Sequence, residues 1–307
     1  AVVGAASLAV RFMAGTLFGR MGRIADAEAA LRKTVSLQPA FAQGYVNLGH
    51  ALELQAKFAE AETCYRRAVE LKADLADGHD ALGRLSQMRG DLPAAVAYHQ
   101  RAIQLNPARI PAYLALGRAL HQLGNLDAAA GSIEQALRLD ANQAEAYYDL
   151  AGVRIGQGRY DDALLCIRQA RQLKPDYIEA AAVEAYILDR RKDYQGALDC
   201  ITPVLERYQD FPEVALVYAR LCHFTQDYDG AAARLETLLS KNDLAPERRM
   251  QIHFQLGNIH DRRGEFDQAF AQFQAGNALK PAKFDAKEWE RNITALMAAF
   301  NKDAIVR

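Results

Sequence analysis

Cysteine, proline and tryptophan are all scarce in this 307-residue chain, at four, nine and one. The cysteines stand far apart and form no Cys-x-x-Cys pair, so neither a disulfide framework nor a thiolate metal site is expected. Buried free thiols are expected at Cys64, Cys166 and Cys200, in a reducing, cytoplasmic compartment. Few prolines and many alanines suit helices, because these residues are the extremes of helix propensity. There is no surplus of either charge, the formal net value being -1, and a duplex-binding protein usually carries a basic excess. Nucleic acid is therefore not an expected partner. No apolar run reaches the roughly 20 residues that a membrane-spanning helix needs, so no membrane insertion is expected. The opening AVVGAASLAVRFMAGTLFG has an apolar stretch but no basic start, and runs straight into patterned sequence. It reads as a first structural helix rather than an export signal.

Catalytic signatures are missing as well. There is no Gly-x-x-x-x-Gly-Lys-Ser/Thr loop, no Gly-x-Gly-x-x-Gly after a strand, no His-Glu-x-x-His and no Gly-x-Ser-x-Gly elbow. His260 and Asp261 are neighbours, but adjacent helical residues diverge by about 100° and do not face each other. No enzyme activity, cofactor or metal is expected of this chain.

What the sequence does contain is periodic. Leu48-Gly49, Leu82-Gly83 and Leu116-Gly117 recur every 34 residues, and Leu256-Gly257 continues the series after four extra residues, Pro246 to Arg249. Below them run Ala27, Ala61, Ala95, Ala129, Ala163, Ala197, Ala231 and Ala269. Pro39, Pro107, Pro175 and Pro281 form another column, as do Phe58, Tyr160, Tyr194, Tyr228 and Phe266. Small residues at two facing columns let paired helices cross closely, where a longer side chain would force them apart. Gly90 and its counterparts stand where a left-handed turn is favoured, and proline stops what precedes it. Within helices the apolar residues recur three or four apart, as in Leu92, Val96, His99 and Ile103.

These columns resemble the tetratricopeptide repeat family, whose pattern sets Trp, Leu-Gly, Tyr, Ala, Phe and Pro at fixed offsets. The likeness divides 8–283 into eight repeats, 8–41, 42–75, 76–109, 110–143, 144–177, 178–211, 212–245 and 250–283. Repeats six and seven are the weakest, with Ala185 and Ala219 where glycine is expected, and are candidate places for a bend or a homodimer contact. The fold it implies is all-α: an α-solenoid of helix-turn-helix repeats wound into a right-handed superhelix. A capping helix is expected over 284–302, with Trp289, Ile293, Leu296, Met297 and Phe300 on one face.

The resemblance further implies a groove lined by the first helix of each repeat, and a function of holding a protein or peptide. In the family the ligand-facing positions are the second, fifth, ninth, twelfth and thirteenth. Candidate groove residues on that basis are Arg84, Arg118, Tyr148, Tyr186, Arg190, Arg220, Phe224 and Arg262. Arg84 and Arg118 lie on adjacent repeats and are expected to grip a carboxylate together. Asp77, Asp80, Glu145, Asp149, Glu179, Asp189 and Glu213 interleave with them. Mixed signs favour a polar peptide over a polyanion, and equally suit a merely solvated face. Neither the Lys/Asn clamp of chaperone adaptors nor the Asn ladder of O-linked N-acetylglucosamine transferase transfers to these positions.

One stretch supports a different expectation. FQLGNIHDRRGEFDQAFAQFQAGNALKPAKFD resembles the last repeat of bacterial proteins in which such a stack precedes a sulfotransferase-like domain, at Gly257, Asp261, Gly264, Ala269, Phe270, Gly276 and Asn277. A chain without an initiating Met and ending at Arg307 fits a module of such an enzyme. A helical-repeat RNA reader would need a basic groove, which the balanced charge does not supply.

Overall fold

Helix is the only regular structure among the described residues of the computed structural model, which are 2–208, 211–241 and 244–280, with side chains from residue 8 onward. The all-α expectation therefore holds. The expected capping helix over 284–302 lies outside the described residues. The chain forms two compact units, Ala1–Ile187 and Leu188–Arg307.

The first unit is built from antiparallel hairpins: α1 (Val2–Arg20) with α2 (Ile24–Leu37), α3 (Ala42–Glu53) with α4 (Phe58–Leu71), and α5 (Ala76–Met88) with α6 (Leu92–Leu105). They continue as α7 (Ile110–Gln122) with α8 (Leu126–Leu139) and α9 (Ala144–Gly156) with α10 (Tyr160–Leu173). Each second helix also packs on the first helix of the following hairpin, α2 on α3 through to α8 on α9, which is the stacking of an α-solenoid. The division between units falls inside α11 (Ile178–Arg190). The second unit contains α12 (Tyr194–Arg207), α13 (Pro212–Thr225), α14 (Tyr228–Leu239), α15 (Pro246–Arg262) and α16 (Phe266–Ala278), stacked in the same way.

The columns explain why each hairpin closes. Every alanine of the long column is buried, from Ala61 and Ala129 at 0% to Ala269 at 3% exposure. Opposite, a Cβ on Gly49 would come within 2.3 Å of the Tyr65 ring, one on Gly83 within 2.7 Å of His99, and one on Gly117 within 2.5 Å of Ile133. The same approach recurs at Gly257 against Phe273. A bulky side chain on the second helix, fully buried at Tyr65, His99 and Ile133 and half-buried at Phe273, thus packs on a backbone that has no side chain of its own. Burying each such chain stabilises the hairpin by roughly 1.5–3 kcal/mol. The cores are correspondingly local, with Leu31, Leu52 and Tyr65 in one cluster and Ile133, Leu150 and Val153 in another.

Turn geometry follows residue type, with three exceptions. Gly90 takes φ 80° between α5 and α6, as expected of a residue without a Cβ. Ala56, Lys192 and Gln226 adopt the same left-handed conformation at φ 58°, 63° and 62°, which L-residues visit at a cost of about 1–2 kcal/mol. Second helices end at Leu37, Leu105 and Leu173, two residues before their prolines. The four extra residues, Pro246 to Arg249, become the first turn of α15, with Pro246 at its first position.

The thiol expectation needs correction. Only Cys222 is buried, whereas Cys64, Cys166 and Cys200 are half-buried, all four being free. The shared position of those three lies at the flank of the second helix, one residue before the buried Tyr65, Ile167 and Ile201.

Candidate functional site

First helices supply the candidate side chains, and the structure shows what each one touches. In the first unit, Arg84 Nη2 donates to Glu53 Oε2 at 3.1 Å, and the Tyr65 hydroxyl donates to the same oxygen at 2.5 Å. His50 packs edge-on against Tyr65, with ring centroids 5.5 Å apart, and burial, then the Arg84 charge, lowers its pKa. Burial and Glu53 together push the Tyr65 phenol upward. Arg118 Nη1 instead reaches forward to Asp149 Oδ2 at 2.9 Å. Burial raises the Asp149 carboxyl despite that contact. Arg84 and Arg118 are therefore each engaged with a carboxylate of this chain, one toward the preceding hairpin and one toward the following. Tyr148 is half-buried beside Tyr177, with centroids 5.1 Å apart.

Asp80, expected among the groove acids, is 1% exposed and unavailable to a ligand. Its Oδ1 lies 2.9 Å from His99 Nδ1, while its Oδ2 accepts from Arg109 Nη2 at 2.8 Å and Nε at 3.2 Å. Arg109 also pairs with Asp77. Burial alone would raise the Asp80 carboxyl, but the hydrogen bonds from His99 and Arg109 outweigh it and hold the group down at about 2. This network ties α5, α6 and the start of α7 together, which is a structural role. The sequence offered a signal, since His99 occupies the column that holds Tyr65, Ile133 and Ile167 elsewhere, and a buried histidine there needs a partner.

The second unit brings several candidates to one place. A cavity of about 440 Å³ is lined by Asp189 from the end of α11, Arg220 and His223 from α13, and Gln255, Asn258 and Arg262 from α15. Its lining is mainly polar. Arg220 is held by Asp189 Oδ2, at 2.6 Å from Nη2 and 2.9 Å from Nε. Arg262 is exposed and pairs with no carboxylate among the described residues. Phe224 lies at the end of α13 against Tyr194, with centroids 5.5 Å apart. Tyr186 is half-buried on α11, and Arg190 is exposed as its last residue. Asp189, His223, Gln255 and Asn258 were not among the eight candidates. The first two hold the twelfth position of their repeats and Asn258 the ninth, so the positional rule contained them.

The acid-base pair at His260 does not form with Asp261. His260 Nδ1 lies 2.7 Å from Glu265 Oε2, across the α15–α16 turn, and this contact, above all, lowers the Glu265 pKa.

Comparison with known proteins gives consistent results. The family model described as tetratricopeptide repeat matches residues 12–78, 81–144, 114–178, 148–201 and 224–282, well over half of the chain. Among solved structures, PilF of Pseudomonas aeruginosa is similar at 18% identity and a TM-score of 0.63, over 69% of this chain and 96% of that one. A tetratricopeptide repeat protein from Parabacteroides merdae is similar at 17% identity and a TM-score of 0.65, over 81% and 99%. PilW, a type IV pilus biogenesis factor, is similar at 15% identity and a TM-score of 0.65, over 69% and 98%. Identities this low speak for the fold alone. No curated protein matches the chain.

Proposed function

The chain belongs to the tetratricopeptide repeat family, and from that premise we propose that it is a non-catalytic scaffold holding a polar peptide segment of a protein partner. The observation that carries this reading is the cavity on α13 and α15, where Arg262 stands beside Asn258 and Gln255. Asparagine and glutamine side chains offer both donors and acceptors to an extended backbone. A guanidinium without an internal carboxylate suits an acidic side chain or chain terminus of the bound segment. In the second unit Phe224 is the proposed apolar contact, since aromatic anchors dominate interface energies, and Arg190 and Arg220 belong to the same proposed site, Arg220 serving by orienting its acid as well as by direct contact. Arg84, Arg118, Tyr148 and Tyr186 are proposed separately as partner-facing residues of the first unit, Arg84 and Arg118 in the same double role. The free thiols suit a reducing cytoplasmic setting.

Selection of a random peptide library on the full chain, followed by fluorescence anisotropy, tests the proposal. Selected peptides should carry an acidic residue, and Arg262→Glu should weaken them at least about tenfold, or 1.4 kcal/mol. Glu236→Lys on α14 should leave affinity unchanged. Equal binding to the Arg262→Glu variant would remove this cavity as the site.

The second reading, a repeat module of a sulfotransferase-like enzyme, is favoured only by the last-repeat likeness. Gly257, Gly264 and Ala269 have packing or turn roles shared with other hairpins, which leaves Asp261, Phe270, Gly276 and Asn277 to carry it. Sequencing the gene downstream of the Arg307 codon decides it. A Gly-rich phosphate-binding loop in frame supports the enzyme, and a stop codon ends that reading.

A further inference from the structure

In the first unit, residues 29 apart join a first helix to the segment that enters the next hairpin, as Asp80 joins Arg109. Phe12 meets Phe41 at the same spacing, edge-on with centroids 5.0 Å apart. Tyr148 of α9 meets Tyr177, the residue before α11, with centroids 5.1 Å apart and planes inclined by 33°. Packing is served by phenylalanine at these positions, as Phe12 and Phe41 show, so a pair of tyrosines adds something. Val46, Asp80, Leu114 and Ala182 take the place of Tyr148 in other hairpins of this unit and are buried, whereas Tyr148 and Tyr177 are only half-buried.

Acids surround the pair. Glu145 lies one turn before Tyr148, Asp149 one residue after it, and Glu179 two residues after Tyr177. Burial, then Tyr148, then Asp149, Glu145 and Glu179 push the Tyr177 phenol up, so the field of all three acids reaches that ring. None of the three is well satisfied. Asp149 accepts from Arg118 at 2.9 Å, yet burial still raises its carboxyl. Asp80, with both His99 and Arg109, is instead held at about 2. Glu145 has one ion-pair contact among the described residues, to Lys174 Nζ at 3.5 Å. Glu179 is exposed and pairs with no cation among the described residues. Lys174 shows what the place accepts: its ammonium lies 4.5 Å from the centre of the Tyr177 ring, a cation–π distance.

We propose that Tyr148, Tyr177, Glu145, Asp149 and Glu179 receive one lysine side chain of a protein partner, in exchange for Lys174. Resting on the scaffold reading, this site gives the first unit a ligand chemistry of its own, opposite in sign to that of Arg262. An ammonium is favoured over a guanidinium because the acids come from three separate positions. A compact charge with three rotatable donors serves all three, while the fork of arginine matches a single carboxylate. Lys174 yields readily, since its side chain is 51% exposed and an exposed ion pair is weak.

Fluorine NMR of the full chain labelled with fluorotyrosine tests this, with Nα-acetyl-lysine methylamide as the probe and Tyr148→Phe and Tyr177→Phe to assign the signals. Both resonances should shift together, with a dissociation constant in the millimolar range. The norleucine analogue, which lacks the ammonium, should shift neither, and the arginine analogue should bind less tightly. Lys174→Ala should tighten the lysine probe about two- to fivefold by freeing the ring. Glu179→Gln, at an exposed position, should weaken it about twofold with helicity unchanged. Arg262→Glu should leave the titration as it is, so failure here and failure of the peptide site on α13 and α15 are read separately. Norleucine or arginine bound as tightly as lysine, a probe indifferent to Lys174→Ala, or no shift at either tyrosine overturns the proposal.

Discussion

Replacing Asp80 with alanine is the severest small change the first unit offers. The carboxylate is 1% exposed and holds His99, which is 0% exposed and whose Nε2 is buried without a partner. Its pKa is lowered from 3.8 to about 2, which at 1.36 kcal/mol per unit corresponds to about 2 kcal/mol in favour of the ionised folded form. Truncation also leaves His99 Nδ1 without a partner, and an orphaned buried polar group costs about 1–3 kcal/mol. Arg109 suffers less, because it keeps Asp77. The sum is about 3–5 kcal/mol, in the range for breaking a buried pair by removing one member. A stack of hairpins unfolds piecewise, so a global denaturation midpoint would dilute the effect. Hydrogen exchange is the better assay: amides of α5 and α6 should exchange at least about 100-fold faster in Asp80→Ala, while those of α13 to α16 should not change. The pH dependence has a definite sign. The folded pKa lies below the unfolded one, so the stabilisation is complete above about pH 4 and is lost as pH falls through about 2. The difference between wild type and Asp80→Ala should narrow over that window. Equal exchange at pH 7, or a difference that does not narrow in acid, would refute the network as a source of stability.

Ala129→Leu should destabilise the α7–α8 hairpin by about 1–3 kcal/mol, because a fully buried crossing position must overpack, and an unchanged urea midpoint would contradict the packing described. Lys192→Gly should raise stability by about 0.5–1 kcal/mol by relieving a left-handed φ of 63°, whereas Gly90→Ala, at φ 80°, should lower it by a similar amount. Differential scanning calorimetry of the three proteins reads both shifts, and a fall in Lys192→Gly would show that its conformation carries no strain.

The helical hairpins were legible because their determinants are one residue deep. A glycine against a bulky side chain, an alanine at a crossing and a proline after a helix each act within one hairpin or its neighbour. The register of Ala129 against Gly117 and Ile133 needs nothing from afar. Asp80 was not legible, because its position is also one that faces ligand. The histidine at 99 and Arg109, residues of the following helix and turn, decide that the carboxylate turns inward. The three half-buried thiols fail for a related reason. Residue type says that cysteine prefers burial, but Cys64 stands one step from the inward-facing Tyr65, and about 100° of rotation separates core from flank.

Charge is where positional reading loses most, and the reason is a recurring pair. Arg84 bonds Glu53 and Arg220 bonds Asp189, and in both cases the arginine follows its acid by 31 residues, on the first helix of the next hairpin. Arg118 meets an acid 31 residues onward, Asp149, by reaching the other way. A first-helix arginine with an acid at that spacing is committed to neighbouring hairpins before any ligand arrives. Such a pair, partly exposed, contributes at most about 1 kcal/mol to stability, yet it fixes where the guanidinium points. The charges left to recognise a partner are those without this match. Arg262 is one: with the four extra residues counted, the acid at the matching spacing is Asp227, which accepts from the Tyr218 hydroxyl and the Gly230 amide instead, and no described carboxylate holds Arg262. On the proposed function, Arg262→Glu should change peptide affinity more than Arg84→Glu does. The reverse order in anisotropy titrations would mean that bracing arginines, released from their acids, carry the binding after all.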